Sequence, residues 1–349
     1  MNGMDAKYRR FSIVREMLET PGVVRQFPVS RALEHRPASA NVFLTGEGSS
    51  RIFPDKHARV DALRRGDETR VDLEGGEQCL EYNLAGRHLY AASNSGRTAE
   101  IVRLLEKLSR LDDRPAAGEG TRRNEGAPLR RTAVVAHAGG PISDLCDETF
   151  VLTCGPEEAV AATKSVVEQA LFYDVVFRAA AGAELPDLAS LGSAMEETLA
   201  VDINAEIMAR MHGTGRIYFA GRNDGVAEEL ALKTNEITRR DSAYLEGTYA
   251  VHGVEEVMSS DDVVVVIDPF ETEEAKLDDV LVRGVGLAVI AIADHDTRFP
   301  TIRVPHVGEY SPYVHLLAGW SLLVETGIEA GIDLDTPARA RKIGNEYPG

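Results

Sequence analysis

The sequence predicts an α/β protein of two doubly wound parallel-sheet domains in tandem, each an α–β–α sandwich, with an N-terminal helical arm and a C-terminal tail. Three observations predict it. The chain has 349 residues, a length suited to about two domains, and 44% of them are hydrophobic, enough for buried cores. Short apolar strands alternate with amphipathic helical stretches, the pattern of a parallel sheet covered on both faces. A strand–loop–helix plan then occurs once in each half. The expected parts are an arm over 1–36, a first domain over 37–185, a second over 186–330 and a tail over 331–349.

In the arm, Tyr8, Phe11, Ile13, Val14, Met17 and Leu18 repeat at helical spacing. Thr20-Pro21-Gly22 is expected to break that helix, with a second short one over Val23 to Leu33. The first domain opens on the strand Ala40-Asn-Val-Phe-Leu-Thr45, followed by Gly46-Glu-Gly-Ser-Ser-Arg51 and a helix through Leu63. Strands are expected at Val71 to Leu73, at Leu89 to Ala92, at Thr132 to Ala136 and at Glu148 to Thr153, then a helix from Glu157 to about Ala181. Between Leu111 and Arg131 large apolar side chains are almost absent, which predicts a surface insertion with no part in the chemistry. The second domain is expected to hold a helix from Ala189 to Met211 and strands at Arg216 to Ala220, Asp262 to Ile267, Gly286 to Ile292 and Ile302 to Pro305. A helix from Tyr313 to about Ala330 closes it.

The net charge of −18 argues against a broad nucleic-acid-binding surface. Seven lysines against 31 arginines, on an acidic background, fit either a high-salt cytoplasm or a GC-rich genome. No apolar run reaches the roughly 20 residues of a membrane span and Met1 to Asp5 show no signal-peptide pattern, so a cytoplasmic protein is expected. Cys79, Cys146 and Cys154 have no metal-ligand spacing, and neither a metal site nor a disulfide is expected.

The stretch around which the chain is organised is Ser93-Asn94-Ser95-Gly96-Arg97-Thr98. It joins the strand at Leu89 to a helix carrying Ile101, Leu104, Leu105 and Leu108. The first amides of a helix lack intrahelical partners and its dipole favours an anion, so such a turn can hold a phosphate. The same residue types also make an ordinary N-cap. In the second half Val266-Ile-Asp-Pro-Phe-Glu stands where that element would recur, so only the first half is expected to hold phosphate. Lys233 and Glu236, three apart on one helical face, read as a surface ion pair or as a cation and a base. His252 reads as a structural histidine or as a group titrating near neutrality.

Taken in order, these motifs resemble the sugar isomerase (SIS) domain family, in particular the isomerase half of glucosamine-6-phosphate synthase, from about residue 40 to Lys342. Ser93 to Thr98 resembles that family's phosphate loop, and Gly48-Ser49-Ser50 its Gly-Thr-Ser. Val160-Ala161-Ala-Thr-Lys164 resembles the segment whose backbone lines the sugar site. Glu229-Leu-Ala-Leu-Lys-Thr-Asn-Glu236, His252-Gly253 and Asp333-Leu-Asp-Thr-Pro337 with Lys342 beyond complete the series.

The resemblance implies that Ser49, Ser50, Ser93, Asn94, Ser95 and Thr98, with Val160 and Ala161, bind a phosphosugar in a homodimer. It implies that His252 opens the sugar ring in a neighbouring subunit's site, that Glu236 moves the proton between C1 and C2, and that Lys233 steadies the developing oxygen charge. It places Lys342 where a Schiff base with an open-chain ketose forms. The expected activity is a phosphosugar isomerase or aminosugar-phosphate deaminase acting on a hexose 6-phosphate, with no cofactor. A non-catalytic sugar-phosphate sensor is the alternative. Because the chain begins Met1-Asn2-Gly3, a glutaminase domain with an N-terminal cysteine is not expected. Glu47, Arg51, Leu230 and Asp241 depart from the synthase pattern and bear on substrate identity more than on fold.

Overall fold

The computed structural model describes residues 1, 5–112, 126–212, 215–342 and 344–348. Most of the stretch expected to be a surface insertion, residues 113–125, lies outside them. The chain divides into two compact units that interleave in sequence. The hydroxyl-turn unit comprises Gln26–Pro156, Ser165–Pro186 and Arg341–Gly349. The lysine–glutamate unit comprises Met1–Arg25, Glu157–Lys164 and Asp187–Ala340.

The hydroxyl-turn unit is built on five parallel strands, β1 (Asn41–Thr45), β2 (Arg70–Glu74), β3 (His88–Ser93), β4 (Arg130–Val135) and β5 (Glu148–Val151). Their order is β2-β1-β3-β4-β5. The central β3 is buried along its whole length, and its middle, Leu89 to Ala92, reads as an apolar run. On one face Leu89, Ala91, Ala133 and Val135 pack with Ile101, Leu104, Leu105 and Leu108 of the helix Ala99–Asp112.

The lysine–glutamate unit repeats that topology with β6 (Ile217–Gly221), β7 (Ser242–Glu246), β8 (Val263–Ile267), β9 (Ala288–Ala293) and β10 (Thr301–Arg303), in the order β10-β9-β8-β6-β7. β8 is therefore the counterpart of β3. The turn after it holds Asp268 at φ 45°, ion-paired with Arg222 at 2.6 Å, where β3 leads into hydroxyls. The half-buried edge strand β7 (Ser-Ala-Tyr-Leu-Glu) has an apolar run of only three residues, of which Leu245 alone is buried, and it was not among the expected strands.

Three helix boundaries differ from expectation. The helix Ser12–Arg25 runs through Pro21 unbroken. Proline costs it one backbone bond, and burial of Ile13, Val14, Met17 and Val24 offsets that loss. Its partner, the helix Leu188–Ala200, approaches so closely that a Cβ on Gly192 would lie 3.1 Å from the Pro21 carbonyl oxygen. The helix expected from Glu157 begins only at Lys164; the amides of Glu158, Ala159 and Thr163 go to side chains and that of Val160 to the Asp335 carbonyl, as described below. The stretch from Ala189 to Met211 forms two helices, Leu188–Ala200 and Ala205–Met211. The second is started by Asn204, whose side chain accepts from Glu206 N–H at 2.7 Å.

Candidate active site

In the first of these units the chain leaves β3 into a compact hydroxyl turn. Ser93 is almost wholly buried, and its Oγ lies 2.8 Å from Thr98 Oγ1 and 3.4 Å from Ser95 Oγ. Gly96, at φ 68°, reverses the chain in the left-handed region that favours glycine. Gly96 N–H donates to Ser93 Oγ and Arg97 N–H to Ser95 Oγ. The turn is braced from outside: Ala136 N–H donates to the Asn94 carbonyl at 3.0 Å and Ile142 N–H to the Gly96 carbonyl at 3.2 Å. The structure thus brings Ser93, Ser95 and Thr98 together at a strand's carboxyl end and a helix's start, the geometry that favours a phosphate.

The first loop follows β1. A Cβ on Gly46 would sit 2.6 Å from the Ser50 carbonyl oxygen, so only glycine fits there. Gln169 Nε2 donates to that carbonyl at 2.6 Å, which fixes the Gly48–Ser50 turn holding Ser49 and Ser50. The departure at Glu47 has a local use. Its carboxylate accepts Gly76 N–H at 2.8 Å and, half-buried, its pKa is pushed up by desolvation.

The end of the chain lies along the hydroxyl turn. Thr98 and Glu346 form an antiparallel bridge, Ala99 N–H donates to the Asn345 carbonyl at 2.9 Å, and Tyr347 N–H donates to the Arg97 carbonyl at 2.9 Å. Arg97 Nε pairs with Glu346 at 2.9 Å. Lys342, three residues before Asn345, is exposed.

In the lysine–glutamate unit the helix Val226–Thr238 carries Lys233 on its buried face. Lys233 is 0% exposed, with Glu236 Oε2 at 3.0 Å and Glu229 Oε1 at 3.3 Å. Burial pushes its pKa down, but the charges and hydrogen bonds of Glu236 and Glu229 outweigh that and raise it. The ammonium therefore stays charged. Glu229 is 0% exposed and Glu236 20% exposed, which gives the carboxylates different work: one neutralises, the other can be reached. Sequence reading quoted Glu229 as part of a motif and missed it as the lysine's counter-ion; its spacing four residues before Lys233 was the available signal.

His252 ends the one-turn helix Tyr249–Val251, and its side chain is exposed and makes no hydrogen bond with Lys233 or Glu236. Tyr249 and Val257 beside it are also exposed, at 59% and 74%. Val160 N–H donates to the Asp335 carbonyl at 3.2 Å and Ala161 is buried. Two departures are compensated within this unit. Leu230 fills the space over Gly319, where a Cβ would lie 2.4 Å from Leu230 Cδ1. Asp241 pairs with Arg216 at 2.5 Å on the surface. Among the described residues no group of three or more His, Cys, Asp or Glu is placed to hold a metal ion, and no helix is long and apolar enough to cross a membrane.

Two parallel-sheet units with a hydroxyl turn at one carboxyl edge define a double SIS architecture. The chain resembles the isomerase half of glutamine–fructose-6-phosphate aminotransferase. It is 24% identical to that isomerizing aminotransferase from Shouchella clausii, covering 95% of this chain and 57% of the relative. It is 27% identical to the Staphylococcus aureus (strain Mu50) protein of the same name, covering 72% and 42%. The chain thus spans about half the length of the curated relatives it matches. Among solved structures, tagatose-6-phosphate ketose/aldose isomerase from Escherichia coli superposes with a TM-score of 0.76 at 17% identity, covering 96% of this chain and 99% of that one. Glucosamine-6-phosphate deaminase from Thermotoga maritima superposes with a TM-score of 0.75 at 18% identity, covering 95% and 98%. These likenesses show the fold. No protein-family model matches the chain.

Proposed function

We propose that this chain interconverts an aldose and a ketose phosphate, or deaminates an aminosugar phosphate, using a hexose 6-phosphate such as glucosamine 6-phosphate or fructose 6-phosphate, as a homodimer. One observation carries the reading: a fully buried, charged lysine clamped by a buried glutamate, with a second, reachable glutamate 3.0 Å away. Moving a proton between C1 and C2 needs a base and a cation beside the enediol oxygens. Glu236 supplies the base and Lys233 the cation. Glu229 keeps Lys233 charged without competing for substrate.

Ser93, Ser95 and Thr98, with Ser49, Ser50 and Asn94, bind the phosphate, a remote handle whose binding energy positions the reacting carbons. Val160 and Ala161 line the sugar. The exposed His252 opens the ring of a sugar bound to a neighbouring subunit. Lys342 forms a Schiff base with the open-chain ketose. Incubation with glucosamine 6-phosphate, in dilute buffer and in molar salt, tests the reading. Ammonia and fructose 6-phosphate should appear together. Tight binding of that sugar and of common hexose phosphates without turnover would reject catalysis and leave a sensor.

A further inference from the structure

The apolar face of the helix Ser12–Arg25 was legible in the sequence, but its polar face has a use that nothing above assigns. Ser12, Arg15, Glu16 and Glu19 are spaced i, i+3, i+4 and i+7, so they form one stripe. All four hold the segment from Glu158 to Lys164. Ser12 Oγ donates to Glu158 Oε2 at 2.9 Å, and Arg15 pairs with the same oxygen at 2.9 Å. Glu16, only 1% exposed, accepts the amide N–H groups of Glu158 and Ala159. Glu19 pairs with the buried Lys164 at 2.6 Å.

The tail completes the arrangement. Asp335 accepts Ser12 N–H at 2.7 Å and Ile13 N–H at 2.8 Å, so a residue more than 300 positions away caps this helix. Its carbonyl accepts Val160 N–H at 3.2 Å. Within the segment, Glu157 accepts Thr163 N–H at 2.7 Å. The amides of residues 158, 159, 160 and 163 are thus all taken by carboxylates or by the tail, and none by a helix of their own.

From this we infer that Glu16 and Asp335 are positioning residues for substrate: they fix the backbone of residues 158–160 in the conformation in which this segment lines the sugar. The inference rests on the proposed function for the word sugar. The clamp itself rests on the contacts. A helix started at Glu157 would have used the Val160 and Thr163 amides internally and left those of Glu158 and Ala159, the two that Glu16 accepts, without a partner of its own. A buried carboxylate oxygen that accepts Glu158 N–H, with Ala159 N–H at 3.4 Å beside it, is a directional restraint.

The test compares Glu16→Ala, Asp335→Ala, the conservative Glu16→Gln and the surface double variant Ser12→Ala/Arg15→Ala, which leaves the core intact. Two readouts are taken: steady-state kinetics on glucosamine 6-phosphate, and hydrogen–deuterium exchange of the peptide spanning residues 157–163. Glu16→Ala and Asp335→Ala should raise KM about tenfold or more while kcat changes less. Exchange in the peptide should quicken by a similar factor, with β3 and β8 unchanged. Glu16→Gln, which can still accept both amides, should restore both. The double variant should show a smaller shift in the same direction. Unchanged KM and unchanged exchange in all four would overturn the inference. Faster exchange with unchanged KM would overturn its substrate role. A wild-type chain that neither binds nor turns over phosphosugars would instead overturn the proposed function, and exchange alone would then decide the clamp.

Discussion

Two glutamates flank one buried lysine, and replacing each by glutamine separates chemistry from charge burial. Lys233 is inaccessible and needs a counter-ion. In Glu236→Gln that need is still met by Glu229 at 3.3 Å, and a charge-assisted contact at a 20% exposed side chain becomes a neutral one. The stability cost should be about 1 kcal/mol. In Glu229→Gln the lysine keeps only the partly exposed Glu236. A buried pair has been broken, and the cost should be about 3 kcal/mol or more. Turnover should behave in the opposite way. Loss of a general base costs about 100- to 10,000-fold, so Glu236→Gln should fold and fail to turn over. Urea unfolding followed by circular dichroism gives the first quantity, and turnover of glucosamine 6-phosphate the second. A Glu236→Gln protein with wild-type turnover, or a Glu229→Gln protein as stable as wild type, would refute the division of labour.

Other outcomes follow from the same contacts. Ser95→Ala should weaken phosphosugar binding about tenfold by removing one neutral donor to the phosphate; isothermal titration with fructose 6-phosphate reads it, and unchanged affinity would reject the phosphate turn. Burial lowers the pKa of His88 to about 3 and of His315 to about 4, and both are neutral in the fold. His88 Nδ1 accepts Ala38 N–H, a bond that protonation would destroy. Because each folded pKa lies below the unfolded value, the unfolded chain binds the extra proton and stability falls as pH drops from about 6.5, by about 2 kcal/mol per histidine at pH 5. His88→Gln should reduce the loss between pH 7 and pH 5 measured in urea; an identical loss would refute the assignment. Gly319→Ala should destabilise the fold by about 1–3 kcal/mol, since Leu230 has no room to move, and an unchanged melting temperature would contradict that packing.

The sheets were legible because β8 and β9 are short buried runs of small and branched apolar residues and β3 and β6 are short buried runs that add aromatics, each too short for a helix and followed by turn residues. The β3 turn was legible because its hydroxyls and glycine are consecutive in sequence. What escaped is non-local. The helix start misplaced at Glu157 depends on Glu16 and Asp335, which lie more than 100 residues away in sequence on either side, so no local pattern around Glu157 reports them. The continuity of the first helix through Pro21 depends on packing against Leu188–Ala200, which outweighs the local rule. β7 is an edge strand whose pairing with β6 supplies what its own residues do not. The spacing of Lys233 and Glu236 was visible, but the depth of their burial, which distinguishes them from a surface pair, was not.

The central claim is that this chain moves a proton between C1 and C2 of a hexose phosphate, and proton NMR in D2O reads that step directly. Fructose 6-phosphate and glucosamine 6-phosphate, each incubated with the protein, should take up deuterium at C1 or C2 whether the net reaction is isomerisation or deamination. Glu236→Gln should abolish the uptake while line broadening still reports binding. Binding by the wild-type protein with no deuterium in either sugar would contradict the account.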